Sequence, residues 1–222
     1  MTSCAKSLEG STDDRFPMVP QRIVADVRTV MPPDGIVALD NGMYKIWFAR
    51  NYRTPVSNTL LLDNALATMG AGLPSAMMAA ICYPGRRVLA VCGGGGFMMN
   101  SQELEKAVRL GLNLVVLILQ DDAYGMIRWK QAVDKFADFG MTFGNSDFVS
   151  YAQAYGAQGS RVQASGNFVP VLQSAFEHGG VHVVVVPVDY SENIRVLVDQ
   201  LQHRVPAPSK VPHQTVGSLS AP

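Results

Sequence analysis

The sequence predicts an α/β domain, a three-layer sandwich with a mostly parallel central sheet and helices on both faces. Three observations lead there. The runs Val88-Leu89-Ala90-Val91-Cys92, Leu114-Val115-Val116-Leu117-Ile118-Leu119 and Val181-His182-Val183-Val184-Val185-Val186-Pro187-Val188 are almost continuously apolar, as expected of strands covered on both faces. Between them lie segments with helical periodicity. The strand runs end in glycine or polar loops, which a parallel sheet collects along one edge, where ligands bind.

In chain order, Pro20 to Met31 has Ile23, Val27 and Val30 on one helical face, and Pro32-Pro33 stops it. Gly35 to Leu39 reads as a short buried strand. The Asp40-Asn41-Gly42 loop at its end opens a helix from Met43 to Arg50; a plain strand-to-helix turn is the commoner meaning of such a tripeptide, and a polar tip that touches a ligand is the sharper one. Leu60-Leu61-Leu62 leads into Asn64 to Pro74, followed by the small-residue helix Ser75 to Ile81. Its Ala-rich composition suits tight packing, and the preceding glycines would let a ligand lie against the backbone.

The strand at Val88 enters a four-glycine loop, Gly93 to Gly96, and Ser101-Gln102-Glu103-Leu104 starts a helix. The strand at Leu114 ends in Gln120-Asp121-Asp122-Ala123-Tyr124-Gly125, and Met126 to Val133 is helical. A loop through residues 136–144 is long enough to be a lid or a partner contact. Asn145-Ser146-Asp147 caps a helix from Val149 to Tyr155; Ala157 to Val162 is an edge strand, and Asn167 to His178 a helix ended by Gly179-Gly180. Ser191 to Leu201 forms a last amphipathic helix.

With 222 residues the chain has the size of one domain, expected at 16–204, with a flexible leader at 1–15 and a disordered low-complexity tail at 205–222. Lys and Arg number 18, as do Asp and Glu, so the formal charge is zero and there is no basic footprint for nucleic acid. Cys4, Cys82 and Cys92 lack metal spacing and fit a reduced, cytoplasmic protein. No apolar run approaches the roughly 18 residues of a membrane span, and the start has no signal-peptide core.

Backbone amides of the glycine loop at a helix start favour an anion such as phosphate. This is neither a Walker loop nor the Gly-x-Gly-x-x-Gly fingerprint. The Gln120-Asp121-Asp122 loop adds hard oxygens suited to Mg²⁺, and the pair suggests a metal diphosphate site. No nucleophilic triad is visible. His178, His182, His203 and His213 fall where surface or structural roles are commoner, and Glu103 and Glu105 suit a helix first turn.

The segment from Phe16 to Leu201 resembles the diphosphate-binding (PP) domain of thiamine diphosphate-dependent enzymes, most of all acetolactate synthase large subunits. That family marks its site with Gly-Asp-Gly and, nearly thirty residues on, an Asn-Asn or Asn-Asp pair. Gly93 to Gly95 and Gln120-Asp121 stand at that spacing, with Phe-Met-Met-Asn-Ser-Gln-Glu-Leu between them; Asn64 to Pro74 resembles the family's Gly-Leu-Gly-Thr-Met-Gly-x-Gly-Leu-Pro.

The resemblance implies the thiamin diphosphate-binding fold and a site for thiamine diphosphate with Mg²⁺. Asp121 would be a side-chain metal ligand and Ala123 a backbone-carbonyl ligand, while Gly94 stands where the family's metal-binding Asp falls, so one carboxylate is lost. Gly93, Gly95, Gly96 and Phe97 would lie along the diphosphate, with Tyr124 and Gly125 beside them. Met69 matches the apolar residue between the cofactor rings, Ala67 the carbonyl facing the aminopyrimidine, and Gly42, Met43 and Tyr44 the loop over the diphosphate.

The implied activity is decarboxylation and carboligation of a 2-oxo acid such as pyruvate. It would need a pyrimidine-binding (PYR) domain from a partner chain in a homo- or hetero-oligomer, so no catalytic residue is expected here. A non-catalytic relative with weakened metal binding is the alternative, and an unrelated nucleotide-binding α/β protein a third reading.

Overall fold

The computed structural model describes residues 9–199. The tail expected at 205–222, and the first eight residues of the leader, lie outside them. Within the rest of that leader, Arg22 donates to the Asp13 carbonyl and Ser165 Oγ to the Asp14 carbonyl.

Six strands form one parallel sheet: β1 (Ile36–Leu39), β2 (Leu60–Leu62), β3 (Val88–Gly93), β4 (Leu114–Gln120), β5 (Gln158–Arg161) and β6 (Val181–Pro187). Their spatial order is β2-β1-β3-β4-β6-β5, and every pairing is parallel. The short, partly exposed β5 lies at one edge, as its polar sequence predicts. Leu60–Leu62 occupies the other edge as a strand of its own.

The central strands are buried on both faces. One face sends Ala38, Ala90, Cys92, Val116, Ile118 and Val183 into a cluster with α3 (Gly72–Cys82), α5 (Glu103–Arg109) and α7 (Phe148–Ala154). Alternate residues, among them Val37, Leu89, Val91, Leu117 and Val184, point the other way and are equally buried. There α1 (Pro20–Val30) packs against α2 (Met43–Asn51) and against α8 (Phe168–His178). This is the expected three-layer arrangement. His182 belongs to this sheet as a buried residue, its Nε2 2.9 Å from Ser160 Oγ.

Two local expectations need correction. The glycine run is not a loop: Gly93 ends β3 and Gly94 already begins α4 (Gly94–Met99), because a side chain at these positions has no room and the bare backbone coils directly off the strand. The helix expected from Ser191 starts late and changes pitch: after a turn at Ser191-Glu192, residues 193–194 are α-helical and Arg195–Asp199 π-helical, with Val196 N donating to the Glu192 carbonyl at 3.0 Å and Arg195 paired with Glu192. The remainder of that expected helix, at Gln200 and Leu201, lies outside the described residues. α6 (Gly125–Val133) starts one residue before its expected place.

Candidate functional site

The C-terminal ends of β1 and β3 are neighbours from which the chain departs in opposite directions, β1 toward β2 and β3 toward β4. Ligands of open α/β sheets sit outside such a switch point. The loops after β1, β3 and β4 build this corner.

On the β1 side, Asp40 is fully buried. Its backbone amide continues the ladder to the Val91 carbonyl at 2.9 Å, and its Oδ1 accepts from the amides of Gly70 at 2.8 Å and Ala71 at 3.1 Å. Asn41 Nδ2 donates to the Thr68 carbonyl at 2.8 Å, Lys45 Nζ to Asn41 Oδ1 at 2.6 Å and to the Asp63 carbonyl, and Asn100 Nδ2 to the Gly70 carbonyl at 2.8 Å. These bonds clamp segment 63–71 against the β1 loop. Gly70 takes φ +86°, a left-handed value that favours glycine. Burial pushes the Asp40 carboxyl above its usual range, and the surrounding amides pull it partly back.

The glycines of α4 answer to specific neighbours. A methyl group placed on Gly93 would lie 3.2 Å from the Tyr44 ring; on Gly94, 2.2 Å from Asn145 Oδ1; on Gly95, 2.7 Å from the Tyr124 ring; on Gly96, 2.1 Å from Asp40 Oδ2. Four consecutive positions are thus crowded by four side chains from three other segments.

On the β4 side, Asp121 is half-buried, and desolvation raises its carboxyl to about 6 against the pull of the Ala123 amide. A methyl on Gly125 would come 2.5 Å from Asp121 Oδ2 and 3.8 Å from Met43 Cβ, so the β1 and β4 loops meet here. Residues 141–143 fold back over this loop: Tyr124 N donates to the Met141 carbonyl at 2.8 Å and Phe143 N to the Asp122 carbonyl at 3.1 Å. The bridge leaves the Ala123 carbonyl out. Asn145 Nδ2 donates to Asp122 Oδ1 at 2.6 Å, while Asn145 Oδ1 is buried without a donor. The segment expected to be a lid is bridged to the β4 loop at residues 141–143, and Phe139 beside it is 84 % exposed.

The structure therefore assembles the residues singled out in the sequence around one corner. A cavity of about 630 Å³ is lined by Gly42, Ala67, Met69, Lys45, Met126 and Ile127, among others. Met43 and Tyr44 are buried in the first turn of α2. Phe97 is separate: its side chain is buried in the core edge-on to Phe148, ring centres 5.6 Å apart, which leaves only its backbone for the corner. Among the described residues no three His, Cys, Asp or Glu side chains cluster as a metal site, and Gly94 contributes no carboxylate.

Two residues escaped sequence reasoning. Asp40 reads as an ordinary turn residue, and only its burial at the end of a strand signals more. Asn145 reads as part of a helix cap, yet the cap of α7 is Asp147 alone, which accepts from the amides of Val149 at 3.1 Å and Ser150 at 3.4 Å. Among the described residues no helix is long and apolar enough to cross a membrane.

Comparison with known proteins bears on this corner. Residues 40–186 match the family model described as thiamine pyrophosphate enzyme, C-terminal TPP binding domain. The chain is 36 % identical over 182 residues to an acetolactate synthase of Bacillus subtilis, covering 82 % of this chain and 32 % of that protein. It is 35 % identical over 184 residues to a catabolic acetolactate synthase of Raoultella terrigena, covering 83 % of this chain and 33 % of the relative. Among solved structures, a thiamine diphosphate-dependent 4-hydroxybenzoylformate decarboxylase from Rhodococcus jostii superposes with a TM-score of 0.74 at 24 % identity, covering 79 % of this chain and 33 % of that one; it matches in fold. The chain thus spans about a third of the length of the relatives it matches.

Proposed function

The chain belongs to the thiamine pyrophosphate enzyme family, matching its C-terminal TPP-binding domain, and from that premise we propose that it holds thiamine diphosphate with Mg²⁺ as one half of an acetolactate synthase-like active site. The other half would be a PYR domain on a partner chain in the cytoplasm, in a homo- or hetero-oligomer. The observation that carries this reading is the cavity of about 630 Å³ lined by Gly42, Ala67, Met69 and Met126, the last in the α6 first turn whose Gly125 abuts the half-buried Asp121 carboxyl.

The residues present suit the cofactor and its metal. Burial penalises the charge on Asp121, and a divalent cation would remove that penalty. The Ala123 carbonyl lies two residues on, outside the local backbone bridge. When bound, thiamine diphosphate supplies an electron sink for decarboxylation of a 2-oxo acid. The protein's part would be positional: Met69 and Ala67 present one wall, Gly42 lets the β1 loop approach closely, and the start of α4 offers backbone donors to phosphate oxygens.

Calorimetric titration with thiamine diphosphate and Mg²⁺, with and without a PYR-domain chain, tests the reading. Binding that needs the metal and weakens at least tenfold in Asp121→Ala is expected; no binding in either arrangement would sink it. A second reading, a non-catalytic relative, draws on Gly94 at the position of the family's ligand. Cofactor binding in the two-chain mixture without consumption of pyruvate or another 2-oxo acid would decide for it.

A further inference from the structure

We propose that Asn145 replaces the carboxylate missing at Gly94, its Oδ1 being a neutral oxygen ligand of the cation held by Asp121 and the Ala123 carbonyl. The inference rests on the cofactor reading above and adds a residue to that site.

Space comes first. A methyl group on Gly94 would lie 2.2 Å from Asn145 Oδ1 and 2.9 Å from its Cγ. The volume a side chain at 94 would enter is therefore the volume the Asn145 amide fills. Orientation comes next. Asp122 Oδ1 accepts from Asn145 Nδ2 at 2.6 Å, and a carboxylate oxygen can accept only from the NH₂ end of an amide, so the oxygen end is the one turned to Gly94. Asp122 is itself held, since Gln120 Nε2 donates to the same oxygen at 2.7 Å and Arg161 reaches Gln120 Oε1 at 3.0 Å.

The oxygen so aimed is buried and has no donor. An acceptor placed there by three neighbours and left without a proton donor is costly unless something else satisfies it. Asparagine carbonyl oxygens are ordinary ligands of hard cations. A neutral oxygen from Asn145 adds a ligand without placing a further carboxylate beside Asp121 and Asp122, whose charges already repel.

The test uses the 222-residue chain with thiamine diphosphate and Mn²⁺ in place of Mg²⁺, the free metal being read by electron paramagnetic resonance. Each variant is first checked for native circular dichroism. Asn145→Ala should weaken Mn²⁺ binding about ten- to hundredfold. Gly94→Asp should weaken binding in the native background, where two side chains compete for one volume, yet restore it at least tenfold when combined with Asn145→Ala. A residue that merely shapes the loop would not give that reversal of sign. Native-like affinity in Asn145→Ala, or no restoration in the double variant, overturns the inference while leaving the cofactor reading intact. Failure of the native chain to bind Mn²⁺ with thiamine diphosphate, both alone and together with a PYR-domain chain, overturns both.

Discussion

Asp40 and Asp121 occupy equivalent places, one residue past the ends of parallel strands β1 and β4, and burial raises the carboxyl of both. Their surroundings differ. Asp40 spends Oδ1 on amides of Gly70 and Ala71, which lie thirty residues on, so its charge stitches two segments of the fold together. Asp121 draws only on amides of its own loop. The first carboxyl is anchored through Oδ1 and shapes the fold, although its Oδ2 is buried without a donor; the second draws on no amide from another segment, the condition under which a bound cation gains most. The same residue type at the same edge of one sheet thus serves as scaffold or as ligand according to what the neighbouring loop brings to it.

Substitution can break this contrast. Asp40→Ala should cost the most, about 3 kcal/mol, because two amides lose their acceptor in a buried turn; urea unfolding would show it, and an equally stable variant would remove Asp40 from the scaffold. Asp121→Asn should act in the opposite direction. A carboxyl near 6 in the folded chain, against its ordinary 3.8, is easier to fold protonated, so its penalty grows as pH rises from about 4 to about 6. The substitution should stabilise the metal-free chain by about 2 kcal/mol at pH 8 and make no difference near pH 3, which parallel unfolding curves would measure.

Gly96→Ala should cost about 2 kcal/mol, since the new methyl meets Asp40 Oδ2 at 2.1 Å and Asp40 cannot swing away while Oδ1 is pinned. In the Asp40→Ala background that penalty should vanish, a coupling that a double-mutant cycle reads directly. The smallest effect belongs to His182. Burial lowers its affinity for a proton below the usual 6.5, so the unfolded chain takes up the proton more readily, and stability should fall as pH drops below about 6.5. His182→Gln should flatten that part of the stability–pH curve.

Much of this was legible beforehand because it is local. Apolar runs buried on both faces announce parallel strands, and Pro32-Pro33 ends α1 where the sequence says. Gly42, Met69, Asp121 and Gly125 converge because loops at one end of parallel strands must. Other features resisted. The four glycines look like a flexible cradle in sequence, whereas they coil into α4 under Tyr44, Asn145, Tyr124 and Asp40. Nothing in the local pattern ranks a close tertiary approach above simple flexibility. Leu60–Leu62 is too short for its period to announce a strand, and it becomes one only by pairing with Val37 to Leu39.

By itself, the sequence determined the alternation of strands and helices, the edge at which the loops gather, and the absence of a carboxylate at Gly94, since each depends on residue identity or on short-range periodicity. Tertiary structure alone decided what fills the vacated space. Asn145 reaches Gly94 from a distant loop, steered by Asp122 and by the backbone bridge between residues 122–124 and 141–143, and a meeting of segments so far apart in the chain leaves no trace in the pattern of either.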